Sequence, residues 1–303
     1  FAQGKVRIFE TKIQPGSQLA DIPLKDLRLP QDVLAGLIFR NNRMIIPHGD
    51  DYLLPHDNTF FVGASGEIEK FSKHFVGTGI KAPERVMIIG AGRTGRTLAK
   101  MLDKQGVQVK VIEKDAERSR MVAERIEEGI VVRGDGTDID LLTQEGVGEA
   151  DVVICLTADD KLNLMLALLA KHLGAARTIV RVARIEYVDL MEKVGVDIVL
   201  SSRLLAAGEI LAFARRGGVV SVALLEGAKA EAMEVIVQKG SYVENKKLMD
   251  LQLPKECLIC AFVRDDEAFV PTGQSSLQAG DRAILFIRME FANKVMKYFA
   301  GKA

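Results

Sequence analysis

The chain repeats part of itself at a fixed distance, and this repeat restricts its possible folds more than any other feature. Residues 16–75 and residues 240–299 are identical at 16 positions when they are aligned without a gap. The identical residues include glycines and prolines that separate short apolar runs, which is the pattern of turns between short strands. Each copy ends in an amphipathic segment, at 68–75 and at 291–299. The sequence therefore predicts two copies of a small α+β module, each closed by one helix.

The segment between the two copies begins with a nucleotide-binding pattern. An apolar run at 86–89, typical of a strand that is buried on both faces, leads directly into a glycine-rich turn. That turn has the GxGxxG pattern and consists of Gly90, Ala91, Gly92, Arg93, Thr94 and Gly95. Apolar residues at helical spacing follow it, and the next apolar run, 107–112, is followed by Glu113. A strand, a glycine-rich turn, a helix and an acidic residue at the end of the second strand together indicate a dinucleotide-binding unit.

The residue types in this pattern have physical reasons. Gly90 permits the tight turn after the strand, Gly92 lets the backbone approach a pyrophosphate, and Gly95 allows the helix to pack closely on the strand. The amino end of the helix offers unpaired N–H groups and a positive dipole to phosphates. The carboxylate of Glu113 can accept hydrogen bonds from ribose hydroxyls and would repel a 2′-phosphate. The pattern therefore favours NAD(H), or another nucleotide with an unphosphorylated ribose such as ATP, over NADP(H).

Strands and helices continue to alternate through the rest of the middle segment. Further apolar runs at 130–132, 151–156, 178–182 and 197–200 are separated by helical patterns. This alternation predicts an α/β fold, in which a doubly wound Rossmann-like parallel sheet is flanked by the two copies of the small α+β module.

Polar residues follow or end three of these strands, at the edge where a nucleotide would lie. Ligands of doubly wound sheets bind beside the carboxyl ends of the strands. At these ends the sequence has Asp135, Thr157 and Arg181. Each of them is either a ligand contact or a loop residue that satisfies local hydrogen bonds, and spacing alone leaves both interpretations open.

These patterns divide the chain into four segments. Residues 1–75 are predicted to form the first small module, and residues 76–84 have the glycine-rich composition of a linker. Residues 85–220 are the predicted nucleotide-binding domain, and residues 221–303 are the predicted second small module.

Composition and the remaining motifs argue against several other functions. The 41 Lys and Arg residues balance the 41 Asp and Glu residues, whereas a protein that binds nucleic acid normally carries a basic excess. Cys257 and Cys260 form a CxxC pair, but the first copy has Val33 and Gly36 at these positions. We therefore expect both cysteines in the core. The four histidines are scattered and make no metal-ligand spacing, so the sequence predicts no metal site.

The order of these motifs resembles that of a known family. A small module is followed by GAGRTG, an acidic strand end, GDGT at 134–137 and LTADDKLN at 156–163, and then by the second small module. This arrangement resembles the regulatory (RCK-type) subunits of the Trk/Ktr bacterial potassium uptake systems, in their two-repeat Trk form. The complete subunit of that family runs nucleotide domain, small domain, nucleotide domain, small domain. The resemblance therefore implies a fragment that lacks the first nucleotide domain.

The resemblance implies a regulatory nucleotide sensor rather than an enzyme. Such subunits assemble as homodimers or tetramers on the cytoplasmic face of a potassium-translocating membrane subunit, and they change its gating when NAD(H) or ATP/ADP binds. By position, the family's binding residues fall on Gly90 through Thr94, Glu113, Leu156, Thr157 and Arg181. The expected protein is therefore cytoplasmic and peripheral to the inner face of the cell membrane, with no nucleic-acid partner.

Two other functions stay open from the residues alone. The same fold serves NAD-dependent oxidoreductases, but such an enzyme needs a substrate domain with a general acid or base, and no histidine follows His172. A similar gating unit could serve another potassium channel or an antiporter. The apolar segment 204–214 is a predicted helix that either buries against a partner subunit or packs on its own sheet.

Overall fold

The computed structural model describes residues 1–30, 32–41, 43–75, 83–215 and 218–301. Most of the predicted linker, residues 76–82, lies outside the described residues. By its internal packing the chain divides into two units, Ala82–Leu204 and a second unit formed by Phe1–Lys81 together with Leu205–Ala303. The sequence-based limits of the domains stay a prediction.

The first small module is a four-stranded antiparallel sheet with a helix on one face. Its elements are β1 (Val6–Lys12), β2 (Val33–Arg40), β3 (Arg43–Ile45), β4 (Asn58–Ala64) and α1 (Ser65–Phe75). The strands lie in the order β1-β4-β2-β3. Side chains of the central strand β4 alternate between the two faces: Phe61 packs on Phe71 of α1, with ring centroids 4.6 Å apart, and Phe60 belongs to the core on the other face.

The unit Ala82–Leu204 is built on a six-stranded parallel sheet with helices on both faces. Its strands are β5 (Arg85–Ile89), β6 (Gln108–Glu113), β7 (Ile130–Arg133), β8 (Val152–Cys155), β9 (Thr178–Val182) and β10 (Ile198–Ser201). Its helices are α2 (Arg93–Asp103), α3 (Ala116–Ala123), α4 (Ile139–Gln144), α5 (Asp160–His172) and α6 (Val188–Lys193). The strand order is β10-β9-β8-β5-β6-β7, and all neighbouring strands are parallel. The predicted doubly wound Rossmann-like sheet is confirmed, with every strand limit within one residue of its prediction.

Burial on both faces explains why the central strands are continuous apolar runs. In β5, Ile88 belongs to the same buried cluster as Ala99 of α2, on one face of the sheet. The next residue, Ile89, belongs to the cluster that contains Leu166 of α5, on the other face. Because successive side chains of a strand point to opposite faces, each position must be apolar when helices cover both.

The second small module repeats the first and adds one strand. Its elements are β11 (Val219–Leu225), β12 (Ala230–Ile236), β13 (Cys257–Arg264), β14 (Glu267–Phe269), β15 (Arg282–Arg288) and α8 (Ala292–Phe299), and its strand order is β11-β12-β15-β13-β14. Strands β12 to β15 each begin 224 residues after β1 to β4. A bulge is repeated as well, at Gly36 in β2 and at Cys260 in β13. The predicted duplication of one α+β module is confirmed.

The two small modules pack on each other through one face of each sheet. The buried core that they share includes Leu37, Phe60 and Val62 from the first module and Cys260, Ile284 and Phe286 from the second. The two faces differ, since Phe286 stands where the first copy has Val62. The ring of Phe286 fills the space that Gly36 leaves, because a Cβ added at Gly36 would lie 2.7 Å from a ring carbon. The two copies are therefore complementary rather than interchangeable.

One ion pair recurs in both copies and explains two pairs of identical residues. Arg40 donates through Nε and Nη2 to the two carboxylate oxygens of Asp57, at 2.9 and 2.7 Å. Arg264 donates to Asp281 with the same atoms at the same distances. Both aspartates are buried, and each also accepts a backbone N–H from its own turn. This ion pair therefore stabilises the loop that precedes β4 in the first sheet and β15 in the second.

Helix α7 (Ser202–Ala214) connects β10 to β11, and its second part packs on the second small module. Gly208 is the buried residue of this helix, and a Cβ added there would lie 2.5 Å from the carbonyl oxygen of Val222 in β11. On the rest of the helix Leu205, Ile210 and Phe213 are between 62% and 65% exposed. The helix therefore packs on its own sheet through Gly208 together with the partly buried Leu211 and Ala212, whereas three of its large apolar side chains are mostly exposed.

Candidate functional site

A cleft lies at the carboxyl ends of the strands in the parallel sheet. The neighbouring strands β5 and β8 are where the strand order reverses direction, which is where doubly wound sheets bind ligands. The cleft has a volume of about 570 Å³. It is lined by nine of the eleven predicted site residues, namely Gly90, Gly92, Arg93, Thr94, Glu113, Asp135, Leu156, Thr157 and Arg181. The other two, Ala91 and Gly95, are buried and do not line it.

The glycine-rich segment after β5 has two positions where only glycine fits and one position that leaves room for a ligand. Gly90 has a φ of +104°, and a Cβ there would lie 3.0 Å from backbone atoms of Leu156 and Thr157. A Cβ at Gly95 would collide with the carbonyl oxygen of Gly90. Gly92, directly before α2, has no atom within 4 Å of the corresponding position, so this side of the turn is open. The turn therefore combines close packing against β8 with free space at the helix amino end.

Glu113 ties the glycine-rich turn to the end of β6. Its side chain is only 5% exposed. Oε2 accepts the N–H of Ala91 at 2.7 Å, and Oε1 accepts the N–H of Asp115 at 2.9 Å. Each carboxylate oxygen can accept more than one hydrogen bond, so both can still accept one from a ribose hydroxyl. The residue predicted as a ribose acceptor is therefore also a structural tether.

Asp135 begins a small turn of its own at the cleft. Its Oδ1 accepts the backbone N–H and the hydroxyl of Thr137, both at 2.9 Å. The N–H of Thr137, followed by its hydroxyl, holds the pKa of Asp135 below the usual value, and partial burial opposes this effect. Asp135 therefore satisfies local hydrogen bonds and lines the cleft at the same time, so the two interpretations of this residue do not exclude each other.

The turn after β8 is held by a buried amide that no sequence motif marks. Asn163, in the first part of α5, is fully buried. Its Oδ1 accepts the backbone N–H and the hydroxyl of Thr157, at 2.9 and 2.7 Å. Its Nδ2 donates to the carbonyl oxygens of Thr157 and Arg181, at 3.2 and 3.0 Å. Both donors of Thr157 are thus used inside the protein, and toward a ligand Thr157 is an acceptor.

Arg181 brings an unpaired donor to the same side of the cleft. It lies in β9, and its Nη2 donates to the carbonyl oxygen of Thr157 at 3.1 Å. Its Nε is buried and has no hydrogen-bond partner among the residues that the structure describes. Leaving such a buried donor unpaired costs stability.

Cationic side chains outnumber acidic ones around the cleft. The cationic residues are Arg93, Lys114, Arg118 and Arg181, and the acidic ones are Glu113, Asp135 and Asp159. Lys114 and Arg118 were not predicted, because one residue directly after a strand and one in the first turn of the next helix form no recognisable motif. An excess of positive charge beside a helix amino end suits a ligand that carries phosphate groups.

The other candidate motifs do not form sites in the described part of the chain. Cys257 and Cys260 are free and buried, as expected, and so is Cys155. Burial raises the pKa of the Cys155 and Cys257 thiols to about 12. No group of three or more His, Cys, Asp or Glu residues among the described residues is arranged to hold a metal ion. Within the same residues, no helix is both long and apolar enough to cross a bilayer.

Comparisons with known proteins match this chain to two domain models and to curated relatives that are named for potassium uptake. The TrkA-N domain model matches residues 86–202, and the TrkA-C domain model matches residues 8–76 and 232–300. The Trk system potassium uptake protein TrkA homolog 1 of Methanosarcina mazei is 36% identical over 300 residues, which cover 99% of this chain and 67% of that protein. The Trk system potassium uptake protein TrkA of Vibrio alginolyticus is 33% identical over 294 residues, which cover 95% and 64%.

A solved structure shows the same fold at lower similarity. The structure of the GsuK channel superposes with a TM-score of 0.51 at 22% identity, over 97% of this chain and 52% of that one. This chain spans about two thirds of the length of the curated relatives it matches. The curated relatives are named as potassium uptake proteins of the Trk system, which agrees with the expectation of a regulatory rather than a catalytic chain.

Proposed function

This chain belongs to the TrkA family of Trk potassium uptake proteins, and from that premise we propose that it is a cytosolic regulatory subunit that senses NAD(H) and gates a membrane potassium-translocating subunit of the Trk type. The family assignment confirms the resemblance of its motifs. The relatives are named for potassium uptake, and the solved structure of similar fold is that of a channel. In this proposal the chain acts on the cytoplasmic face of the cell membrane.

The proposal that this chain senses a nucleotide is supported mainly by the cleft beside β5 and β8, where the strand order reverses. Its turn is closely packed at Gly90 and open at Gly92, beside the amino end of α2. Glu113 stands at the end of the next strand with acceptor capacity for ribose hydroxyls, and its charge disfavours a 2′-phosphate. These features support NAD(H) as the ligand, with ATP and ADP as competitors because they carry the same unphosphorylated ribose.

Gating requires that the ligand favour one conformation of the protein over another. In this proposal nucleotide binding shifts such an equilibrium, and the chain passes the change to the membrane subunit as a homodimer or tetramer. The exposed apolar residues of α7, which are Leu205, Ile210 and Phe213, support a contact with a second subunit.

The proposal is tested by calorimetric titration of the chain with NADH, NAD⁺, ATP, ADP and NADPH. We expect saturable binding of NAD(H), and weaker binding of NADPH because its 2′-phosphate meets Glu113. Gly92→Ala would place a methyl group in the open part of the turn, where no protein atom lies within 4 Å of the added Cβ, so it should weaken binding with only a small change in the unfolding temperature. Gly66→Ala, in the open first turn of α1, is the matched control and should bind normally.

Glu113→Ala is a second variant with a different expected signature. It removes the ribose acceptor and also the partner of the Ala91 N–H, so both affinity and the stability of the nucleotide unit should fall. If the unaltered chain binds none of the five nucleotides, the proposed sensing function of this cleft is wrong.

A further inference from the structure

The side chain of Asn163 uses its full hydrogen-bonding capacity within the protein. An amide oxygen can accept two hydrogen bonds and an amide nitrogen can donate two. Oδ1 of Asn163 accepts two, both from Thr157, and Nδ2 donates two, one to Thr157 and one to Arg181. The residue is fully buried, so water does not compete for any of these bonds. No capacity is left over for a ligand, which excludes a direct binding role.

The partners of Asn163 are the two polar residues that line one half of the cleft. Thr157 follows β8, and Arg181 lies near the end of β9, the strand next to it. Arg181 is joined to Thr157 a second time through Nη2, and its unpaired Nε lies in this cluster. Asn163, on helix α5, therefore fixes the ends of two neighbouring strands relative to each other.

The same amide also acts on the glycine-rich turn. The peptide between Leu156 and Thr157 is the group that a Cβ at Gly90 would meet at 3.0 Å. Asn163 accepts the N–H of this peptide at 2.9 Å. The peptide can lie this close to the glycine-rich turn because Gly90 has no side chain, and the hydrogen bond to Asn163 holds the peptide in that place. Asn163 therefore contributes to the separation of the two sides of the cleft.

We propose that Asn163 is a positioning residue for the nucleotide site, and that it sets the half of the cleft formed by Thr157 and Arg181, where the second nucleoside of a dinucleotide would bind. The inference rests on the proposed function. In a doubly wound sheet the acidic residue at the second strand binds the adenosine ribose, and the glycine-rich turn binds the phosphates. Here those parts are Glu113 on β6 and the turn after β5. The remaining half, on β8 and β9, is free for the rest of a dinucleotide.

This assignment predicts that Asn163→Asp discriminates between two ligands. The new carboxylate keeps the size of the side chain but cannot donate, so it would face the carbonyl oxygens of Thr157 and Arg181. NADH uses both halves of the cleft, whereas ADP uses only the half at Glu113 and the glycine-rich turn. We expect the Kd of NADH to rise about tenfold or more, as for loss of buried hydrogen bonds. The Kd of ADP should rise by less than about threefold.

A pH series separates positioning from general destabilisation. A protonated aspartic acid can donate one hydrogen bond, so it restores part of the original pattern. Facing two carbonyl oxygens in a buried site, the introduced carboxyl should have a raised pKa. NADH affinity of Asn163→Asp should therefore recover as the pH falls from about 8 to about 6, while that of the unaltered chain stays constant.

Thr178→Val is the matched control. Thr178 is also fully buried, and its hydroxyl donates to Asp197 at 3.0 Å at the amino end of β9, the opposite end from Arg181. Its loss should lower the unfolding temperature without changing either Kd. If Asn163→Asp does not fold, Asn163→Ala, which leaves the N–H of Thr157 unpaired without adding charge, is measured against both ligands instead.

The two ligands and the unaltered chain distinguish the possible failures. If Asn163 variants bind NADH and ADP as the unaltered chain does, or lose both ligands to the same extent as they lose stability, the positioning role is wrong and the nucleotide-sensing function stands. If the unaltered chain binds neither ligand, the sensing function and the positioning role fall together.

Discussion

The contact between the two small modules predicts that one methyl group added at Gly36 lowers the stability of the chain substantially. In Gly36→Ala, the new Cβ would lie 2.7 and 2.8 Å from two ring carbons of Phe286. This is about 0.8 Å closer than a favourable carbon–carbon contact. Phe286 is fully buried, and its ring centroid lies 6.3 Å from that of Phe60, so the ring can move only by displacing other core residues. Overpacking of this kind costs about 1–3 kcal/mol of unfolding free energy.

A second substitution tests whether Phe286 is the cause. Phe286→Val introduces the residue that the first copy has at the corresponding position, Val62, and the lost apolar volume alone should cost about 2–4 kcal/mol. In the double variant the methyl group of Gly36→Ala occupies the vacated space. Its loss of stability should therefore be smaller than the sum of the single losses by about 1 kcal/mol or more.

Differential scanning calorimetry of the full chain measures these effects, at about 2–4 °C in unfolding temperature for each kcal/mol. Gly66→Ala is the control, because Gly66 lies in α1 with no atom within 4 Å of the added Cβ. It should be neutral or stabilising, by up to about 1 kcal/mol. Gly36→Ala behaving like this control, or additive losses in the double variant, would refute the argument that the two contact faces are complementary.

Three further predictions concern an ion pair, the thiols and pH. Arg40→Met and Arg264→Met should destabilise the chain to similar extents, by about 2 kcal/mol each in urea unfolding, because each leaves a buried aspartate without its cation; the arginines are 30% and 27% exposed, which reduces the effect below that of a fully buried pair. The three cysteines should not react with a thiol reagent at about pH 8 until denaturant is added, since burial raises the pKa of Cys155 and Cys257 to about 12; rapid labelling of the native protein would contradict this. Because the pKa of Asp135 is lowered, its carboxylate stays ionised from about pH 5 to pH 8. In a fluorescence titration this group should therefore cause no change of NADH affinity over that range, and a change that Asp135→Asn abolishes would contradict this.

Much of the fold could be predicted because its signals are local. Strands buried on both faces are continuous apolar runs, and the repeat marks its turns with the same glycines and prolines in both copies. Strand β11 (Val219–Leu225) was not predicted. It has no counterpart in the repeat, and it is defined by pairing with β12 rather than by turn residues on both sides.

The candidate site could be predicted where backbone geometry restricts the residue type. Glycine is required at position 90 because φ is positive there and because the peptide that follows β8 lies close to it. Such restrictions appear in the sequence as a fixed pattern of glycines. Asn163 could not be found in this way. In the sequence it is one polar residue within an apolar helix, and its role depends on Thr157 and Arg181, which reach it from two different strands. Its partners are known only once the strands are assembled.

The hydrogen bond from Ala91 to Glu113 limits how this cleft could transmit a signal. A ligand shifts a conformational equilibrium only by the difference between its affinities for the two states, and a shift from 1:99 to 99:1 requires a difference of about 10⁴-fold, or about 5.5 kcal/mol. A turn tethered to its own sheet offers the same contacts in both states, so it adds affinity to each without adding to the difference. That difference has to come from side chains without such a tether, and the exposed Arg93 at the amino end of α2 meets this condition. Tight binding and effective switching are therefore separable properties of one cleft, and a variant could lose either while it keeps the other.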